Sequence, residues 1–533
     1  MKTKLTTLLS FALVLCLLFT CACGGQKETP TDTSADAQTE TQADAPTDAP
    51  EGTHLRLERD DWADDVKKAL NGLMAAYGVD SKTPAETPYA VFDFDNTSSI
   101  FDVEEQLSIY QLRVMAFAIA PEEMKTVLLT GLGETDKDLT DIGYGKGSLN
   151  DWIDDISAAY TALWETWGPF TAQGVAADKL EEMQADPQWQ EFSAKMRALY
   201  SLVYDAQSSN VAYPWVTYWF TGMTEDEIYG LGMKGFAEYK DVDSSTVTWT
   251  SPESIESKTG VVSYEWTSGI QVTENIKELW RALEDNGIDV WVCSASATGV
   301  IRAAVDTFGL HEYCTGMLGM TDKTDENGKY IAECDVETGC GYYANEDGSW
   351  TRMTRPTKAQ TQGVGKVIAI ANAIAPEYGD HGPIAGFMDS TGDFNFCTEF
   401  ETLKLAVCFN RANRKVTDGG GLVAEVAMYQ KDTLGYDLQK ANEAGDTLYV
   451  LQGRDENGKR TFRNSNKTLL LGDTNETLFR NADNEAQLQK MIDDRMTVAD
   501  ILNTWSMKQA AGENGFDFNT GFLTEYAGYH SHP

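Results

Sequence analysis

The stretch Tyr89-Ala-Val-Phe-Asp93-Phe-Asp95-Asn-Thr97-Ser98 constrains this chain more than any other. Tyr89 to Phe92 are apolar enough to read as a short buried strand. The strand ends in two carboxylates spaced i and i+2, which in an extended backbone point the same way. Asp93 and Asp95 should therefore emerge together at a strand's carboxyl end, where open α/β sheets place their ligands. Adjacent carboxylates repel unless a cation lies between them, and a hard, oxygen-seeking ion such as Mg2+ suits the place. Asp and Thr also cluster as caps in ordinary strand-to-helix turns, so the stretch alone does not decide.

The chain has 533 residues, more than one ordinary domain of about 100–200 residues. Its 83 acidic residues against 42 basic ones leave a formal charge of −41. That argues against non-specific nucleic-acid binding, which needs a basic surface. It would also repel an anionic substrate unless the pocket is locally cationic.

The N-terminus reads as a targeting segment. Lys2 and Lys4 precede an apolar run from Leu5 to Phe19, then Cys21-Ala22-Cys23-Gly24-Gly25. The run has the length of a signal-peptide core and is short for a spanning helix. Small residues leading to Cys and Gly-Gly resemble a bacterial lipoprotein cleavage site. Residues 1–23 are then the signal peptide, with Cys23 preferred over Cys21 as the lipidated residue; a plain secretory signal is the alternative. Gln26 to Gly52 contains no aromatic residue and is rich in Thr, Asp, Ala, Pro, Glu and Gln. Residues 24–57 should be a disordered tether. The expected location is extracytoplasmic, with the membrane met through the lipid anchor alone. Of the later cysteines, Cys334 and Cys340 are expected to pair; Cys293 and Cys408, in apolar strand-like runs, are expected to be buried thiols.

Periodicity then divides the chain. Helices are expected over 59–78, from about Asp102, and over 273–286, 298–308 and 365–375. Strands are expected over 288–293, 383–388 and 403–409. Between Asp102 and Gly269 helical spacing dominates, with many tryptophans and a capping box at Thr224-Glu-Asp-Glu227. Residues 315–356 carry hairpin turns. Leu448–Gln452 and Lys467–Leu471 look like the arms of another hairpin. Helices follow over 485–493 and 498–507. Strands alternating with helices imply a mostly parallel α/β sheet.

Three later positions can meet the Asp pair. Ser294, or the nearby Ser296, follows the strand Asp289-Val-Trp-Val-Cys293. Lys366 opens a helix, where its charge opposes the helix dipole; Lys358 is its competitor. Met388-Asp389-Ser390-Thr-Gly-Asp393 puts two more carboxylates after a strand.

The pattern hydrophobic-Asp-x-Asp-x-Thr, with these positions in this order, resembles the haloacid dehalogenase (HAD) superfamily of phosphatases. Met388 departs from the Gly often found before the fourth-motif Asp. The resemblance implies Asp93 as nucleophile, Asp95 as general acid/base, Ser294 on a phosphate oxygen and Lys366 as the balancing cation. It implies Mg2+ held by Asp93, the Asp95 backbone carbonyl, Asp389 and Asp393. The implied fold is a HAD-like Rossmannoid parallel-sheet core (58–100 and 270–411). A large, mainly helical cap (101–269) is inserted after the first motif. Residues 412–533 form an extension packed on the core.

Phe101-Asp-Val-Glu104-Glu105-Gln106-Leu, Tyr213-Pro-Trp-Val, Gly365-Lys366-Val, Leu451-Gln-Gly-Arg-Asp-Glu-Asn and Leu469-Leu-Leu-Gly are similar to bacterial phosphorylcholine phosphatases. A quaternary ammonium donates no hydrogen bond and is held by aromatic faces and carboxylates. Glu104, Glu105, Trp215, Tyr218 and Trp219 are the candidates for substrate binding, although aromatics at helical spacing usually form core. The expected substrate is phosphocholine or a similar small amino-alcohol phosphate. Phosphoserine, phosphoethanolamine, or a surface lipoprotein that binds a quaternary amine without catalysis remain alternatives.

Overall fold

The computed structural model describes residues 54–79, 83–339, 341–412, 418–458 and 460–502. The signal peptide, Cys23, most of the tether, Cys340 and the end of the last helix lie outside them.

Among the described residues, fourteen strands are labelled in chain order. Tyr89–Phe92 is β1; Ser245–Thr250 and Ser263–Ser268 are β2 and β3; Asp289–Ala297 is β4; Gly316–Met320 is β5. Asp322–Thr324 and Tyr330–Cys334 are β6 and β7; Gly341–Ala344 and Trp350–Arg352 are β8 and β9. Ala385–Met388, Leu405–Phe409 and Leu448–Gln452 are β10, β11 and β12, followed by the short β13 (Arg454–Asp455) and β14 (Thr461–Phe462).

The central sheet has eight strands in the order β12-β11-β10-β1-β4-β5-β8-β9. From β12 to β5 every pairing is parallel, whereas β8 and β9 add antiparallel strands at one edge. The sheet is therefore mixed, and its architecture is α/β, compatible with a Rossmann-like core. The chain starts at β1 in the middle, builds outward through β4 and β5, then returns to the other side of β1 for β10, β11 and β12. The strand order thus reverses beside β1, the position at which open sheets leave a crevice.

Alternate residues of each strand enter different cores, as a two-residue period requires. Ala90 and Phe92, with Val290, Val292, Phe387, Leu405 and Val407, face one cluster that includes Leu73, Trp280 and Ile301. Tyr89 and Val91, with Trp291, Cys293, Met388 and Cys408, face another that includes Val367, Ile370 and Val423. Both faces are covered, so the strands read as continuous apolar runs. Phe92 stacks on Phe387 with ring centroids 3.7 Å apart, joining β1 to β10 on one face. The expected burial of Cys293 and Cys408 is met.

The segment after β1 is mainly helical, with its own core of Leu112, Ile153, Tyr160, Phe192, Trp215 and Trp219. Asp102 caps the helix Val103–Val114 by accepting the Glu105 N–H at 2.9 Å. The predicted capping box at Thr224 and Glu227 is present. Two expectations need correction. First, the hairpin β2–β3 lies within this helical segment; in Ser-Thr-Val-Thr-Trp-Thr only Val247 and Trp249 mark the inner face, and the rest of β2 is exposed. Second, Leu448–Gln452 is not a hairpin arm. It joins the central sheet as β12, parallel to β11, so the chain beyond residue 411 supplies an edge strand of that sheet. Among the described residues, no helix is long and apolar enough to cross a membrane.

Candidate functional site

Register brings three strand ends together. Phe92 pairs with Val292 on one side and with Phe387 on the other. Asp93 therefore lies beside the residues that follow Val292 and Phe387. The Asp93 N–H still donates to Phe387 O at 3.0 Å, after which the chain leaves the sheet. Phe94–Ser98 forms one tight turn in which Asn96 has φ 59°. Ser98 Oγ closes the turn on Asp93 O at 2.7 Å, and Thr97 Oγ1 donates to Asp93 Oδ2 at 3.1 Å.

After β10 the chain turns at Ser390–Asp393. Asp393 Oδ2 accepts the N–H of Asp389 at 3.3 Å and of Ser390 at 3.4 Å. The Gly363 N–H donates to Gly392 O at 2.7 Å, which ties this turn to the start of the helix Val364–Ala369. That tie aims Lys366 at the carboxylates. Its Nζ lies 2.6 Å from Asp93 Oδ1 and 2.5 Å from Asp393 Oδ1. Lys358, by contrast, pairs with Glu337 at the surface, which decides between the two lysines.

Asp93, Asp389 and Asp393 offer carboxylate oxygens that all lie within 4.8 Å of one another, and all three residues are buried. Such a set of hard oxygen donors fits a divalent cation. Burial, then the charge of Asp393, pushes the Asp93 carboxyl well above its ordinary pKa, against the pull of Lys366. Burial also raises Asp393, with Lys366 opposing and Asp389 adding to the rise. Burial alone would depress the Lys366 ammonium, but Asp393 and Asp93 outweigh it and keep it charged.

The Asp95 side chain turns away from this triad. Its Oδ2 accepts from Ser296 Oγ at 2.7 Å and Ser294 Oγ at 3.1 Å, and its Oδ1 accepts the Val103 N–H at 2.6 Å. Burial raises its pKa, with the bonds from Ser296, Val103 and Ser294 opposing. The carboxylate cluster is therefore Asp93, Asp389 and Asp393, and the part expected of Asp95 at a metal is that of its backbone carbonyl alone.

A cavity of about 290 Å³ opens onto these groups. The serine expectation changes here. The strand β4 continues to Ala297 rather than ending at Cys293, with an irregular register against β5. Ser294 is sealed behind Asp95, and of the two serines Ser296 is the one that lines the cavity.

The aromatic expectation also changes. Trp215, Tyr218 and Trp219 belong to the helical core; Trp215 donates its indole N–H to Leu128 O at 2.8 Å. None of the three lines the cavity. Its aromatic wall is Tyr200 and Tyr204 from the helix Pro187–Gln207 and Tyr213 from the helix Ser209–Thr217. The Tyr204 and Tyr213 rings lie 5.9 Å apart.

Of the two glutamates, Glu104 lines the cavity and accepts the Ala297 N–H at 2.9 Å; burial pushes its pKa up to about 8. Glu105 instead borders an adjoining chamber of about 410 Å³ and pairs with Arg197 at 3.2 Å.

Two cations escape sequence reasoning. Arg411, just after β11, donates to Asp389 Oδ2 at 3.0 Å and lines the cavity. Arg454 reaches Asn96 from β13. Arg454 lies in the quoted stretch Leu451-Gln-Gly-Arg-Asp-Glu-Asn, but neither arginine's role can be read locally, because each acts through a partner on another element.

Comparisons with protein-family models and with curated proteins return no match. Among solved structures, the chain is similar to one described as the crystal structure of a conserved functionally unknown protein from Anaerococcus prevotii DSM 20548. The two share 28% identity at a TM-score of 0.58, over 76% of this chain and 96% of that one.

Proposed function

We propose that this protein is a Mg2+-dependent phosphomonoester hydrolase of the HAD type, working through an aspartyl-phosphate. The observation that carries the reading is the convergence of Asp93, Asp389 and Asp393 with a buried Lys366, at the carboxyl ends of adjacent strands.

Asp93 is the nucleophile. Its carboxylate attacks phosphorus in line with the ester oxygen, and the P–O bond to the alcohol breaks as the acyl phosphate forms. Asp95 carries the proton for the departing alkoxide, a task suited to its raised pKa. As a carboxylate it then takes a proton from the water that attacks the acyl phosphate, which frees phosphate and restores Asp93. Lys366 offsets charge on the nucleophile and on the transferred group. Asp93, Asp389 and Asp393 would hold Mg2+, which when bound neutralises the phosphoryl oxygens. Ser296 and Ser294 orient Asp95.

The substrate is a small phosphomonoester, phosphocholine or a similar amino-alcohol phosphate. A cavity of about 290 Å³ suits a compact alcohol. Its tyrosine wall, with Asp102 and Glu104 beside it, suits a cationic head group. Membership of the lipid-anchored, extracytoplasmic proteins belongs to the same reading and rests on the sequence around Cys23. Turnover of phosphocholine against phosphoethanolamine and phosphoserine, each with Mg2+, tests the substrate. A clear preference for phosphocholine is expected; equal rates on all three would sink the head-group assignment and leave the hydrolase standing.

A further inference from the structure

Two cations line the cavity among the described residues, and they differ in what they have left to offer. The Lys366 side chain is 2% exposed, and its ammonium is engaged by Asp93 and Asp393. The Arg411 side chain is 32% exposed and, among the described residues, makes one ion pair, from NH1 to Asp389 Oδ2 at 3.0 Å. A guanidinium carries five N–H donors in one plane. Arg411 also borders the second chamber, so it stands where the two cavities meet.

The setting favours such a cation. Asp93, Asp95, Asp102, Glu104, Asp389 and Asp393 all line the cavity, and the chain carries a formal charge of −41. A phosphate dianion entering there meets repulsion from those of these carboxyls that are ionised. Lys366 gives little relief while two carboxylates hold it. The planar fork of an arginine matches two oxygens of a phosphate, with geometry a lysine cannot copy.

We infer that Arg411 is the substrate-binding residue that receives the phosphate, donating to its non-bridging oxygens while one nitrogen stays on Asp389. The inference rests on the phosphomonoesterase reading and adds to it a residue outside the four motifs. It separates two cationic tasks: Arg411 admits and orients the anion, and Lys366 balances charge at the nucleophile.

The test compares the full-length chain with Arg411→Gln and Arg411→Lys, using p-nitrophenyl phosphate turnover and calorimetric titration with inorganic phosphate, both in Mg2+. Losing a charge-assisted, two-pronged contact should raise KM and the phosphate dissociation constant about 10- to 100-fold. The change in kcat should be much smaller, and half-saturating Mg2+ should stay within about twofold of the parent value. Arg411→Lys should recover only part of the loss. If Arg411 merely orients Asp389, half-saturating Mg2+ will rise while phosphate affinity stays unchanged, and the inference is overturned. Phosphate titration reads binding without turnover. An inactive parent whose phosphate affinity still depends on Arg411 would therefore overturn the hydrolase reading alone; unchanged phosphate affinity in both variants of an active parent would overturn the Arg411 assignment alone.

Discussion

Arg454 donates to the backbone carbonyl of Asn96 at 2.7 Å across a separation of 358 residues. A second nitrogen reaches Asn96 Oδ1 at 3.2 Å, and Glu456 accepts from the same guanidinium at 2.8 and 3.0 Å. Asn96 sits at φ 59° in the turn that carries Asp95 and Thr97. A non-glycine residue in that region is held there at some cost by its surroundings. The chain beyond β11 thus clamps the turn that follows the first strand.

Replacing Arg454 by Ala should act twice. Glu456 would be left buried without its partner, at a cost of about 3–5 kcal/mol. The turn would also relax, and a misplacement of about 1 Å can lower turnover on the order of 100-fold. Urea unfolding and kcat measured on the same variant check both. Arg454→Lys should recover part of the stability and little of the turnover, because a lysine cannot make the fork to both Asn96 oxygens.

The exchange of aromatic roles can be measured directly. Trp215 is 1% exposed in the helical core, so Trp215→Ala should destabilise the fold by about 3–5 kcal/mol with KM nearly unchanged in whatever folds. Tyr204 is 43% exposed at the cavity, so Tyr204→Ala should change stability by less than about 1 kcal/mol and raise KM for phosphocholine. The opposite pattern would return the tryptophans to the binding site.

Glu425 gives a pH dependence remote from the chemistry. It lies fully buried on the helix Gly419–Tyr429, and neither carboxyl oxygen has a hydrogen-bond partner among the described residues. Burial raises its pKa from 4.5 to about 8. The folded chain therefore keeps a proton that the unfolded chain has released. Its contribution is fully present below pH 4.5, is lost as pH rises toward 8, and changes no further above that. The slope for one proton is at most about 1.4 kcal/mol per pH unit. Glu425→Gln should flatten stability between pH 5 and 8 relative to the parent and be the more stable protein at pH 8; denaturant titrations at several pH values read the difference.

What the sequence makes legible follows from what is local. A strand that ends in Asp93, the cap at Asp102, the helix that carries Lys366 and the turn from Asp389 to Asp393 are each written in a few neighbouring residues. Pairing is not local. Leu448–Gln452 reads as a strand, but nothing beside it names β11 as its neighbour. Apolar patterning favours Ser294 over Ser296, because it cannot show through Ser-Ala-Ser-Ala that β4 runs four residues past Cys293. Trp215 and Trp219 illustrate the reverse difficulty: helical spacing marks a buried face without saying whether a cavity or a core lies behind it. Arg411 and Arg454 have meaning only once the fold sets them against Asp389 and Asn96.

The central claim is that Asp93 accepts a phosphoryl group beside a divalent cation. The most direct measurement is phosphate release from p-nitrophenyl phosphate by the parent chain and by Asp93→Asn, with Mg2+ and with a chelator. Release is expected from the parent only with Mg2+, and none above background from Asp93→Asn although it remains folded. Release by folded Asp93→Asn at the parent rate, or by the parent in full without a divalent ion, would contradict the central claim.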